Sequence, residues 1–450
     1  MTKRHDGGQG LLSPARHGAL LAAFVAVIVA VSTAIYVGVS GTDGDGRDTL
    51  ASPRTTGNAA APASAGTWIS TWSTAPSGAE PGTEMTGLAG RSVRNVVHSS
   101  VGGTSARITL SNLYGQEPLT ITHASLAVAA APNTPEAAFG TLRRLTFGGA
   151  ASVVIPAGAQ TLSDAVRLRV PAGADLLVST YSPTPSGPVT YHAHARQISY
   201  VASGDRTEDA SGAAYTQQSP YWRYLTALDV LSNDADGTVV VIGDSLTDGI
   251  TSTTGANHRW TDVLADRLRT ETGAPRYGVA NEGISGNRIL ADGTGRPPGN
   301  ASGIARFQRD ALSRTGVKAV VIALGVNDIL HDQRYANAGD ILEGLRELTR
   351  QAHARGLRVV GATLMPFGGH LGYQPRLETV RQSVNRQIRS GRVFDAVVDF
   401  DRALRDPYDP RRLRPDYDSG DHLHPSDAGY RKMAYAFNIS DLKGAAAAAL

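Results

Sequence analysis

From about Gly237 onward, short apolar runs alternate with amphipathic helical patterns, and this alternation constrains the fold more than any other feature. Thr238–Ile242 reads as a buried strand. Behind it, Trp260, Val263, Leu264 and Leu268 fall on one helical face at i, i+3, i+4 and i+8. Arg267 interrupts that face, although its aliphatic stem can still cover apolar surface. Val317–Leu324 and Leu357–Leu364 are further strand runs. The first is followed by a helical pattern carrying Ile341, Leu342, Leu345 and Leu348, the second by one over Leu377–Ile388. Phe394–Phe400 reads as another strand, and a last helix starts near Ser426 with Ala428, Met433 and Phe437. The alternation predicts parallel strands covered by helices on both faces. In such sheets, ligands bind beyond the carboxyl ends of the strands.

Residues 67–232 have another texture. Arg107–Leu110 and Leu119–Thr122 alternate apolar and polar residues with period two. Ser152–Ile155, Val166–Val170, Leu176–Thr180 and Gln197–Val201 are similar short runs, and a Pro-Ala-Gly turn at 156–158 recurs at 171–173. This spacing predicts an antiparallel β-sandwich, jelly-roll-like in winding. A chain of 450 residues is too long for one ordinary core, so the shift in pattern predicts a sandwich over 67–232 and an α/β domain over 233–450. The chain has no cysteine, which excludes disulfides, thiol nucleophiles and thiolate metal sites. Its net charge is +3, with no basic stripe interleaved with aromatics, so nothing supports nucleic-acid binding.

Lys3, Arg4 and Arg16 precede an uncharged, largely apolar run from Ala19 to Val39. About 20 helical residues cross a bilayer core. The pattern predicts a cytoplasmic basic tail over 1–17, a signal anchor or signal peptide over 18–40, and a flexible Gly/Ala/Ser/Thr/Pro linker over 41–66. Run length favours an uncleaved anchor over a cleaved signal. Either way, the folded domains are expected outside the cytoplasm, membrane-anchored or secreted.

Four loops of the α/β half carry the chemistry. Gly243-Asp244-Ser245-Leu246-Thr247-Asp248-Gly249 follows the first strand and places a serine at the sheet's carboxyl edge, between glycines that permit a tight turn. Asn281-Glu282-Gly283-Ile284-Ser285-Gly286-Asn287 lies after the next strand, where Gly286 can offer an unobstructed backbone N–H. Gly325-Val326-Asn327-Asp328 places an amide donor at a third strand end, although an Asn–Asp helix cap fits equally. In Asp421-His422-Leu423-His424-Pro425, a histidine three residues after an aspartate can receive the carboxylate at Nδ1 and leave Nε2 as a base. Each loop alone is weak, but all four are expected on one sheet edge.

Together these loops resemble the SGNH hydrolases, also called the GDSL esterase/lipase family. The resemblance implies a flavodoxin-like three-layer domain over the last half of the chain. It implies Ser245, His424 and Asp421 as a catalytic triad, with Ser245, Gly286 and Asn327 forming the oxyanion hole. It also implies carboxylic ester hydrolysis without metal or organic cofactor. Arg259-Trp260, Gly286-Asn287-Arg288, Arg306-Phe307 and Arg309-Asp310 are similar to a bacterial arylesterase or acylhydrolase-like branch associated with xylan breakdown. The expected partner is a small-molecule or polysaccharide ester. A glycan-binding surface protein without activity and a long-chain lipase are the alternatives; hydrolysis of a nitrophenyl acetate separates the first.

Other motifs read as structural. His192 and His194 would share a strand face, but lack a third metal ligand nearby. Asp406, Asp409, Asp416 and Asp418 miss the glycine and glutamate that a calcium loop of this type needs. Tyr221-Trp222-Arg223-Tyr224 sits at the domain boundary, where inter-domain packing fits better than sugar stacking.

Overall fold

Two antiparallel sheets share their apolar faces in the first half of the chain. The structure, a computed structural model, describes residues 66–295 and 298–444; the tail, the apolar run and the linker up to residue 65 lie outside it. Its longer strands are β1 (Thr67–Ser73), β2 (Arg91–His98), β3 (Gly103–Ser111), β4 (His123–Val128), β5 (Val166–Val170), β6 (Asp175–Ser182), β7 (Ser199–Ser203) and β8 (Leu225–Ser232). One sheet runs β1-β8-β3-β5; the other contains β7-β2-β6-β4. In β3 the period-two pattern is obeyed: Ala106, Ile108 and Leu110 are buried while Arg107 and Thr109 are less so. They meet Val97, Leu126 and Val178 of the opposite sheet in one core, as a sandwich requires.

The second half is a parallel sheet of β9 (Gly237–Gly243), β10 (Tyr277–Gly283), β11 (Val317–Ala323), β12 (Arg358–Ala362) and β13 (Ala396–Val398). Their order is β10-β9-β11-β12-β13, the doubly wound order of flavodoxin-like sheets. The order reverses between β9 and β11, so the crevice for a ligand opens beyond Gly243 and Ala323. α1 (Ser245–Asp248), α2 (Trp260–Thr270), α3 (Val326–Leu330), α4 (Ala338–His353) and α5 (Pro375–Arg389) lie between the strands, and α6 (Asp427–Ala436) follows the last of them. α2 packs on α6 and α4 on α5, giving two helical layers. Trp260 stacks on Phe437 with ring centroids 5.4 Å apart. Arg267, the residue that interrupts the α2 face, is buried after all: it donates to the Phe437 carbonyl at 3.1 Å and satisfies the end of α6. Among the described residues no helix is long and apolar enough to cross a membrane.

Three expectations need correction. The run Phe394–Phe400 divides: Phe394 packs beneath β12, three residues pair as the edge strand β13, and Phe400 opens a helix. Ala428 is exposed; the buried face of α6 is Gly429, Tyr430, Met433 and Ala434. The strand over Thr190–His192 ends before His194, so the two histidines share no strand face, and His194 is exposed.

The two halves lie in one compact unit. The Val279 N–H of β10 donates to Ser100 Oγ at 3.0 Å, and the Ser70 N–H of β1 to Thr238 Oγ1 at 3.1 Å. Trp222 is buried edge-on against Trp72, with its indole N–H on the Val96 carbonyl, so it packs rather than stacking on a sugar. Packing leaves no room for a side chain at Gly361 in β12, where an added Cβ would lie 1.8 Å from the Phe394 ring. Gly361→Ala is therefore expected to destabilise the protein by about 1–3 kcal/mol. Denaturant unfolding checks this, and an unchanged midpoint would show that Phe394 can move aside freely.

Candidate active site

β9 ends at Gly243 and α1 begins two residues later. Asp244 caps that helix: its carboxylate accepts the Leu246 N–H at 3.0 Å. Ser245 is thus the first helical residue at the switch point of the sheet. Of the two flanking glycines, Gly249 makes the expected turn, while Gly243, like Gly283 on β10, matters for the side chain it lacks. A Cβ on Gly243 would lie 2.1 Å from Thr247 Oγ1, and one on Gly283 would lie 2.4 Å from Asp248 N. Their missing side chains let α1 settle onto the ends of β9 and β10. The turn itself belongs to Gly249, whose φ of 91° ends α1 in the left-handed region.

His424 reaches both partners expected for it. Its Nε2 lies 2.9 Å from Ser245 Oγ and its Nδ1 lies 2.6 Å from Asp421 Oδ2. Asp421 Oδ1 accepts the N–H groups of Leu423 at 2.9 Å and His424 at 2.8 Å. Partial burial would raise the Asp421 carboxyl, but the bonds from the His424 backbone and ring and from Leu423 outweigh it and hold the group at about 2. An ionised Asp421 keeps the proton on Nδ1, which leaves Nε2 free to face the serine hydroxyl. His422 points elsewhere. Its Nδ1 lies 2.7 Å from Asp418 Oδ2, and its backbone, at φ 64°, donates to the same carboxylate.

The other two loops converge on the same edge. Gly286 sits at φ 76°, a left-handed position that favours glycine. Its neighbour Asn287 is fully buried and donates to Asn300 Oδ1 at 2.7 Å and to the Ala301 carbonyl at 2.8 Å. Asn327 does not project from a strand end; it lies in the first turn of α3 and donates to the Asn287 carbonyl at 3.2 Å. Nor is it a cap, because Gly325 holds that position with φ 127°. Asp328 also leaves its own helix uncapped and accepts the N–H groups of Ile289 at 2.9 Å and Leu290 at 3.1 Å. The pair therefore ties the Gly286 loop to the Asn327 loop.

Sequence reasoning missed three residues that hold this arrangement. Arg306, fully buried, donates to the Gly243 carbonyl at 3.0 Å and to Asn287 Oδ1 at 3.0 Å. Asp248 accepts from Ser285, and Asp328 bridges the loops as described. Asp248 and Asp328 stand inside the quoted motifs, but a carboxylate in a glycine-rich turn reads as a cap. Arg306 had no local signal beyond the Arg306-Phe307 resemblance.

Residues 241–432 match the family model for the GDSL-like lipase/acylhydrolase family. This domain belongs to that family. The matched segment runs from β9 into α6 and contains Ser245, Gly286, Asn327, Asp421 and His424. Solved structures similar to the GDSL domain include a member of the lipolytic G-D-S-L family from Veillonella parvula. That likeness has 19% identity over 44% of this chain and 94% of that one, with a TM-score of 0.34. An acetyl xylan esterase from Geobacillus stearothermophilus is similar at 20% identity over 46% and 95%, with a TM-score of 0.35. A GDSL-like lipase from Bacteroides thetaiotaomicron is similar at 20% identity over 45% and 85%, with a TM-score of 0.32. No curated protein sequence matches the chain. The GDSL domain is a carboxylic ester hydrolase.

Burial pushes the Asp244 carboxyl up to about 7; the Leu246 N–H opposes this, and Asp328 and Asp248 add repulsion. The folded value lies above the ordinary 3.8, so folding takes up a proton between about pH 4 and 7, and this contribution is lost as pH rises through that window. Asp244→Asn keeps the cap acceptor and stays neutral. Its thermal midpoint should fall less from pH 4 to 7 than that of the wild type. Identical slopes in thermal melts would count against a protonated Asp244.

Proposed function

We propose that the protein is an exported serine esterase that cleaves carboxylic esters through an acyl-enzyme, with short acyl groups, including acetyl groups on polysaccharide, as its substrates. One observation carries the catalytic part: the unbroken chain from Asp421 Oδ2 through the His424 ring to Ser245 Oγ, with contacts of 2.6 and 2.9 Å. Both are within the reach that proton transfer needs.

The chemistry follows from that chain. His424 Nε2 takes the proton from Ser245 as Oγ attacks the ester carbonyl. The oxyanion of the tetrahedral intermediate is received by the N–H groups of Ser245 and Gly286 and by the Asn327 amide. Collapse expels the alcohol, which takes the proton from His424, and leaves an acyl-serine. Water then gives a proton to His424 and attacks the acyl carbon; the second collapse releases the acid and restores Ser245.

Support for acetylated polysaccharide comes from the residues shared with the xylan-associated branch, Arg259-Trp260, Gly286-Asn287-Arg288 and Arg306-Phe307. Support for export comes from the basic residues Lys3, Arg4 and Arg16 ahead of the apolar run at 19–39. Cell fractionation tests the second point: recovery of the folded domains in the cytosol would refute export.

A kinetic panel tests the catalytic chain. Ser245→Ala should lower nitrophenyl acetate turnover by several orders of magnitude. His424→Ala should do likewise, whereas His422→Ala, whose ring is engaged by Asp418, should keep most of it. Asn327→Ala should reduce kcat by about 10²–10³-fold with little change in KM, because its donor acts on the transition state. A dead His422 variant beside an active His424 variant would overturn the triad.

A further inference from the structure

We propose that the β-sandwich domain supplies a positioning residue to the esterase: His192, paired with Asp248, fixes the Ser285–Gly286 turn that presents an oxyanion donor. The inference rests on the serine-esterase reading above and adds a function for the first domain within it.

His192 ends the strand Thr190–His192, and both it and Asp248 are only 3% exposed. Its Nδ1 lies 2.8 Å from the Ala75 carbonyl, which can only accept, so Nδ1 carries a proton. Its Nε2 lies 2.9 Å from Asp248 Oδ1. The other Asp248 oxygen accepts twice from Ser285, from its N–H at 2.9 Å and its hydroxyl at 2.6 Å. Asp248 is also the last residue of α1, three positions after the nucleophile. One buried carboxylate thus binds the nucleophile helix, the turn before Gly286 and a side chain from the other domain.

A carboxylate buried this deeply needs a partner, because isolated charge in a dry interior is costly. Among the described residues the GDSL domain supplies no cationic side chain to it: Arg259 donates to the Asp248 backbone carbonyl at 3.1 Å and lies over the Trp222 ring. Trp222, from the sandwich, also flanks the His192 ring at 5.5 Å. Burial would lower the His192 imidazole, yet the charge and hydrogen bond of Asp248 outweigh it and raise it; Asp248 is held low in turn, against its own burial. Both ring nitrogens face oxygen acceptors, the arrangement of an imidazolium–carboxylate pair, and both directions agree with it. With Asp248 ionised, both Ser285 donors are held, and the backbone leading into Gly286 is set.

The test uses two amides in the full chain. In His192→Gln the amide nitrogen occupies the place of Nε2 and can still donate to Asp248. In His192→Asn it occupies the place of Nδ1 and reaches only Ala75. His192→Asn should lower kcat for nitrophenyl acetate by about 10–100-fold with KM within about twofold, a loss bounded by that of a whole oxyanion donor. His192→Gln should keep kcat within about threefold of wild type. Ser285→Ala leaves the buried pair intact and should lower kcat by about tenfold at an unchanged thermal midpoint. Equal kcat in the two His192 variants would overturn the proposal, since a purely structural role would affect both melting points and leave turnover per folded molecule alone. Should either His192 variant fail to fold, an unchanged kcat in Ser285→Ala overturns it by itself. Ser245→Ala separates the two layers: if it stays active the esterase reading falls, and if it is dead while the His192 and Ser285 variants turn over normally, only this inference falls.

Discussion

Arg306 donates to the Gly243 carbonyl at 3.0 Å, the Glu282 carbonyl at 2.8 Å and Asn287 Oδ1 at 3.0 Å, all from a fully buried guanidinium. These acceptors are the end of β9, the penultimate residue of β10 and the residue after Gly286. Only the planar fork of arginine, with its five fixed donors, can serve several acceptors this way; a lysine would hold them as a point charge. Burial lowers the guanidinium, and Asp310 and Glu282 offset this only in part. Asp310 stands four residues on, where the helix widens into a π-turn over Gln308–Leu312. Breaking one side of such a pair typically costs about 3–5 kcal/mol. The relative height of the Ser245 and Gly286 loops therefore depends on one side chain that donates to neither Ser245 nor Gly286 itself.

The sandwich bears on the same strands from the other side. β10 is the outer strand of the parallel sheet, and an open edge invites unwanted pairing. β1 lies against it, Ser100 takes the Val279 N–H, and Ser73 donates to the Glu282 carboxylate. Glu282 is fully buried, and burial raises its carboxyl while Arg314 pulls it down. Arg314 in turn donates to the Thr74 carbonyl of the sandwich at 3.3 Å. Removing the first domain would thus uncover a carboxylate, a cation and a strand edge together. The two domains share a polar interface that only their contact satisfies, and it holds the end of β10, which leads into the Gly286 loop.

The sheet was legible in the sequence because hydrophobic period is a local signal. Val239–Ile242 and Val320–Ile322 are buried on both faces and read as unbroken apolar runs, as central parallel strands must. Ser245, Gly286, Asn327 and His424 were legible because the doubly wound order sends the loops after successive strands to one edge. What was not legible is what crosses between loops. Asp248, Asp328 and Arg306 act over separations of 37, 39 and 63 residues, and no periodicity marks such a partner. His192 was visible as a histidine, yet its partner lies 56 residues on, in the other domain. Phe394–Phe400 misled for a related reason: an apolar run records burial, but whether that burial is by strand or helix depends on neighbours the run does not name.

The last loop makes this point at atomic scale. It contains two aspartate–histidine pairs, Asp418 with His422 and Asp421 with His424, spaced four and three residues apart. In both, one carboxylate oxygen takes the histidine's own N–H and the other meets Nδ1. The local chemistry of the pairs is therefore the same, and neither composition nor hydrogen bonding selects between them. Backbone direction does. His422 adopts φ 64°, a rare conformation for a side chain this large, and the reversal turns its ring toward Gly369. After that reversal His424 enters Pro425, and Ser426 caps α6. α6 is fixed at its other end by Arg267 and Trp260, and Tyr430 donates from its middle to the Ile250 carbonyl, just beyond α1. His424 is thus held against the Ser245 helix by the packing of α6 on the sheet. Where the last helix must sit decides which of the two rings meets Ser245, and the three-residue spacing then supplies the carboxylate that orients it.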